Sequence, residues 1–107
     1  MLSHIPFAIP VKRLLAFFHP QPAYPFHVII IPKKAIRSFS NLEPADPFLA
    51  DLVNAAQSLV AEYHLTAYRH FLNGREYQEF PHLHFQLVSD GGRHSVPKRF
   101  VSPPTGK

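Results

Sequence analysis

Apolar residues recur along this chain in two rhythms. Residues 27–31 (HVIII) are continuous and β-branched, the pattern of a strand buried on both faces. Residues 13–18 (RLLAFF) read as a second strand, and residues 6–10, bounded by Pro6 and Pro10, as a short edge strand. The proline-rich stretch 19–25 (HPQPAYP) between them cannot be helical. Pro32-Lys33-Lys34 ends the buried strand, and residues 38–45 form a connecting turn. The rhythm then changes to that of a helix over residues 46–63. Phe48, Leu52, Ala55, Leu59 and Tyr63 make one stripe, and Leu49, Val53, Ala56 and Val60 a second beside it. Asp51, Asn54, Ser58 and Glu62 fall opposite, with Asp46 as N-cap and Pro47 at the first helical position. Residues 66–72 and 80–88 return to strands, separated by an Asn73-Gly74 turn, and Asp90-Gly91-Gly92 closes the last one. The order β-β-β-α-β-β with hairpin-compatible connections predicts an α+β fold with an antiparallel sheet.

The length, 107 residues, sets an expectation of one domain with its core over about residues 6–90. A core of this size gains from association with a second copy. The two-stripe helix is wider than one sheet needs, so a homodimer is expected. No cysteine is present, which excludes disulfides, thiolate metal sites and a cysteine nucleophile. The net charge of +4 suits a phosphate-bearing small ligand and does not by itself call for nucleic acid. The first residues are interrupted by His4, Pro6 and Pro10, unlike a targeting segment, and no apolar run approaches the ~20 residues of a membrane span. A cytoplasmic location is the default expectation. Residues 93–107, with His94, Lys98 and Arg99, read as a basic tail. Lys33 and Lys34 read as a solvated turn, and His64 and His70 as structural or solvated side chains. Phe17, Phe18 and Phe85 read as core.

Eight histidines in so short a chain point to the chemistry, because imidazole titrates near neutrality and serves as nucleophile, base or ligand. Residues 81–88 (PHLHFQLV) carry the informative pattern. On a strand, alternate residues share a face, so His82, His84 and Gln86 point one way and Leu83, Phe85 and Leu87 the other. The apolar set packs on the helix. The polar set, at a spacing of about 7 Å, lines an open surface able to receive an anion. A solvated outer face would carry the same pattern. Zinc held by His82 and His84 with His27 or His94 is a third option, but no carboxylate or thiolate lies near in sequence and no metal is expected.

The segment PHLHFQLV resembles the histidine-triad motif of the HIT superfamily, with Gln86 in the third histidine's place, as in the galactose-1-phosphate uridylyltransferase-like branches. Two further segments carry the resemblance in the right order: HVIIIPKKAI (residues 27–36), and FLNGREYQEFPHLH (residues 71–84), which matches at Asn73, Gln78, His82 and His84. Departures from the pattern are Tyr77 for a glycine, Glu79 for a phosphate-touching serine, and His19 for an aspartate. The resemblance implies a HIT-like α+β fold with a five-stranded antiparallel sheet and one main helix, and a homodimer. It also implies a nucleotidyl transferase or hydrolase acting on small nucleoside phosphates, without a cofactor. His84 would be the nucleophile and form a nucleotidyl-imidazole intermediate. His82 would orient it, and Gln86 would donate to a phosphate oxygen without delivering a proton. Asn73 and Gln78 would bind phosphate, and His27 would sit near the nucleoside or phosphates. A nucleotide-binding or interaction module with little turnover is the alternative.

Overall fold

The computed structural model describes residues 8–11 and 13–90. The basic tail at 93–107, Gly91-Gly92, Lys12 and the residues before Ala8, Pro6 of the proline-flanked stretch included, lie outside the described residues. Strands β1 (Ala8–Val11), β2 (Leu14–Phe18) and β3 (Phe26–Pro32) precede helix α1 (Phe48–Glu62), and β4 (Arg69–Leu72) and β5 (Phe85–Ser89) follow it. The sheet runs β1-β2-β3-β5-β4, with every pair antiparallel. The class is the expected one: α+β, one α-helix among the described residues, and an antiparallel sheet.

β3 is central, and Phe26 through Ile30 are buried without alternation, as a strand covered on both sides requires. One face of the sheet carries Leu14, Ala16, Val28, Ile30, Phe85 and Leu87, which join Phe48, Leu52, Ala55, Ala56 and Leu59 of α1 in one apolar core. On the other face the register sets Ile29 opposite Gln86 and His27 opposite Val88, so His27 and Gln86 are diagonal neighbours.

Several boundaries differ from the sequence pattern. The helix begins at Phe48, with Pro47 at its cap. Asp46 still supplies the cap: its Oδ1 accepts the Phe48 N–H at 2.9 Å, and its Oδ2 accepts from Lys34 Nζ at 2.8 Å. Lys34 is therefore paired, not merely solvated. Asp51, expected on the free polar face, accepts from Arg13 at 2.9 Å and ties α1 to the β1–β2 turn. The first apolar stripe of α1 is buried up to Leu59, while in the second Val53 is 49% exposed. β4 covers only the end of the stretch 66–72.

The largest correction concerns the last strand. β5 starts at Phe85, so His82 and His84 belong to an irregular segment leading into it. That segment is bonded to the exit of β3: Leu83 N–H donates to Ile36 O at 2.7 Å, and His82 Nε2 lies 3.0 Å from Pro32 O. The polar set is not an open surface either. His84 is 1% and Gln86 6% exposed, and His82 is half-buried.

Candidate functional site

His84 is held by its own segment. Its Nδ1 lies 2.8 Å from His82 O, and a carbonyl can only accept, so Nδ1 carries the proton. The other nitrogen, Nε2, is then the lone-pair side. It is buried, and among the described residues it has no hydrogen-bond partner. A buried polar atom without a partner costs free energy on the order of 1–3 kcal/mol, an arrangement kept where a ligand or reaction needs the lone pair. Phe80 stacks on the His84 ring at 4.2 Å between centroids and 10° between planes. His82 contributes twice, by its carbonyl to His84 and by its own Nε2–H to Pro32 O.

A second unit sits on β3 and β5. Ala23 N–H donates to His27 Nδ1 at 3.1 Å, so this nitrogen is the acceptor and Nε2 bears the hydrogen. His27 Nε2–H donates to Gln86 Oε1 at 2.7 Å. With its oxygen engaged, Gln86 has its amide N–H₂ as the end left to offer. Burial pushes the His27 pKa below its ordinary value. The Gln86 bond opposes this, the nearby His19 adds to it, and Glu79 opposes it. His27 is therefore neutral near pH 7, in accord with the tautomer its partners impose. His19 packs on the His27 ring at 4.5 Å, Tyr24 packs edge-on at 5.4 Å, and Glu79 Oε1 lies 3.8 Å from His19 Nε2.

The structure thus pairs His82 with His84 and His27 with Gln86. Asn73, half-buried just past β4, makes no side-chain hydrogen bond among the described residues. Gln78 uses both amide hydrogens on main-chain carbonyls, of Arg37 at 2.9 Å and Phe80 at 3.2 Å, and its Oε1 accepts the Arg75 N–H at 3.0 Å. Its contribution is the shape of the loop. Two residues the pattern did not single out are Phe80 and Tyr24. Both lie in irregular segments where no periodicity marks them. Among the described residues, no group of three or more histidines and carboxylates is arranged to hold a metal ion.

The HIT domain family matches residues 8–92. The chain belongs to the HIT family. A HIT family hydrolase from Legionella pneumophila Philadelphia 1 is 32% identical over 88% of this chain and 88% of its own, with a TM-score of 0.73. A HIT family hydrolase from Clostridium thermocellum is 27% identical over 89% of this chain and 87% of its own, also at 0.73. The Plasmodium falciparum diadenosine triphosphate hydrolase shares the fold at 15% identity, over 80% of this chain and 63% of its own, with a TM-score of 0.64. Among curated proteins no match is found. Among the described residues of this HIT protein, no helix is long and apolar enough to cross a membrane.

Proposed function

We propose that this HIT protein is a nucleotidyl hydrolase or transferase that acts on small nucleoside phosphates through His84. The observation that carries the reading is the tautomer of His84, with Nδ1–H bound to the His82 carbonyl and Nε2 buried without a partner among the described residues. A neutral imidazole with its lone pair free needs no further base to act as a nucleophile. Nε2 attacks the α-phosphorus, a P–N bond forms, and the leaving oxygen departs with the P–O electron pair. Water or another acceptor then attacks the same phosphorus, and the P–N bond breaks to return the imidazole. His82 is the positioning residue for His84. The Gln86 amide, directed by His27, donates to a phosphate oxygen as negative charge builds there, and Asn73 has an unspent amide for the same task. His27 acts through Gln86. Gln78 sets the loop beneath the phosphates through its three main-chain bonds.

The protein acts as a homodimer in this reading. Among the described residues the outer edge of β4 has no partner strand, and beside it lies an apolar hollow of about 280 Å³ lined by Val53, Ala56, Val60, Tyr68, His70 and Leu87. A cytoplasmic location accompanies a nucleotide substrate.

The test is covalent capture. A reactive nucleoside phosphate analogue should add one nucleotidyl group, located on His84 by peptide mass spectrometry and absent from His84→Ala. Glu79, a carboxylate where a phosphate-touching serine stands in the family pattern, favours the second reading of a nucleotide-binding module. That reading is correct if nucleoside monophosphate raises the melting temperature while no label ever forms.

A further inference from the structure

We infer that the cleft between the exit of β3 and the loop at 75–81 is an anion subsite for a phosphate-bearing leaving half of the substrate. The anion binding rests on the cleft alone. Its assignment to the leaving half rests on the reading of His84 as nucleophile.

The cleft has a volume of about 470 Å³, and Arg37, Ser40, Asn41, Arg75, Glu79 and Phe80 are among its lining residues. Among the described residues, Arg13 is paired to Asp51 and Lys34 to Asp46. Among the described residues, Arg37 and Arg75 have no ion pair and no side-chain hydrogen bond, and they line one concavity. The remaining groups are also short of acceptors. Ser38 Oγ–H donates to Asn41 Oδ1 at 3.0 Å, so the 3.1 Å contact between Ser40 and Ser38 has the Ser40 hydroxyl donating. Asn41 is then left with its N–H₂. Two guanidinium groups and one amide are unspent donors, which is the complement of a ligand whose polar atoms only accept. A phosphate is such a ligand, and guanidinium matches it with paired, charge-assisted bonds.

Two structural details set the main chain that carries the arginines, whose side chains are exposed. Gln78 bridges the walls, from Arg37 O on one side to Arg75 N–H on the other, and so fixes the separation of the two segments. Arg75 takes a left-handed backbone conformation, φ 49°, which glycine adopts without strain. Gly74, one residue earlier, does not use that conformation; its φ is −112°. The strained position holds the guanidinium, and strain of this kind gathers at ligand-holding sites. The acid on the rim, Glu79, faces His19 across 3.8 Å.

Phe80 joins the cleft to the nucleophile, because it lines the cleft and its ring stacks on His84. A substrate with its α-phosphorus at His84 Nε2 sends its leaving group past that one ring to the two arginines. A leaving group ending in phosphate also departs without a proton, which suits Gln86, an amide that has none to give. The class implied is a nucleotide whose leaving half carries a terminal phosphate, either inorganic polyphosphate or the phosphate ester of a sugar.

The experiment is calorimetric titration of the full chain with inorganic pyrophosphate and, separately, ribose 5-phosphate, in wild type, Arg37→Ala and Arg75→Gly. Each substitution should weaken the anion about tenfold or more, the size of a lost charge-assisted pair. Arg75→Gly should at the same time leave the melting temperature equal or higher, since glycine relieves the backbone. Tighter binding of ribose 5-phosphate assigns the sugar ester as occupant, and tighter pyrophosphate the inorganic chain. Wild-type affinity for both anions in both variants overturns the subsite. If no nucleotide labels His84 while arginine-dependent binding persists, the subsite stands and the nucleophile assignment falls. If His84 is labelled while anion binding ignores both arginines, the nucleophile stands and the subsite falls.

Discussion

A buried imidazole whose Nδ1 accepts from Ala23 and whose Nε2–H donates to Gln86 cannot take a second proton without losing one of those bonds. At the scale of single residues this makes His27 a pH-sensitive group of the site. Its folded pKa lies below the unfolded value of about 6.5. The unfolded chain therefore binds the proton first, and the associated stability is complete above that unfolded value and lost as pH falls below it. The melting temperature should drop between pH 7.5 and 5.5, and His27→Asn should flatten that slope. An identical slope in the variant would show that other groups set it. The same pair makes position 86 a place to introduce an acid. In Gln86→His the protonated ring can give a leaving group the proton that the amide cannot. General acid catalysis contributes about 10²–10⁴-fold, so hydrolysis of an adenosine phosphoramidate, whose amine leaves only when protonated, should rise by a sizeable part of that range. The gain should be largest at acidic pH. Equal pH–rate profiles from pH 5 to 8 would remove position 86 from proton transfer.

At the scale of elements, Asp46 links the start of α1 to the turn after β3. Hydrogen bonding from Lys34 and from the Phe48 N–H holds its carboxyl below the usual range. Loss of an N-cap acceptor costs about 0.5–2 kcal/mol. Asp46→Ala should lower the stability read by urea unfolding by at least that much, because Lys34 loses its partner as well. An unchanged midpoint would mean that Pro47 and the following residues nucleate the helix unaided. How much of the fold is legible in the sequence depends on periodicity. The runs LLAFF and HVIII and the 3.6-residue stripe of α1 stand out because burial repeats along them. Asp46 is legible as a cap, though it stands two positions before the helix start. PHLHFQLV has strand alternation, yet only Phe85 onward pairs as β5; the bonds from Leu83 and His82 to the β3 exit take the preceding residues out of the ladder. Alternation correctly separates Leu83, Phe85 and Leu87 from the polar set. It gives no measure of burial, so the enclosed state of His84 and Gln86 is not legible. The bonds of Gln78 to residues 37 and 80 are equally hidden, because two of its three partners are carbonyls.

For the whole molecule, the proposed homodimer is tested at the surface around Val53 and Tyr68. Both are about half exposed, on the rim of the hollow beside the β4 edge. Light scattering at micromolar concentration should give a mass near twice 12.2 kDa. Val53→Glu should shift it towards the monomer without loss of helix by circular dichroism, because a charge at a desolvated contact has no partner there. A wild-type monomer at high concentration would reject the homodimer.

The segment that carries His84 is fastened to chain far away in sequence. His82 reaches Pro32, Leu83 reaches Ile36 and Gln78 reaches Arg37, all near the exit of β3. Such links form only after a loop of some forty to fifty residues has closed. The site therefore has a place in time as well as in space. During folding it matures after β3 has docked, and during breathing motions it opens when that junction parts. The Leu83 amide, bonded to Ile36 O, is a clock for this event. Its deuterium uptake should be as slow as that of the β3–β5 ladder. Nucleotide bound at His84 should slow it further.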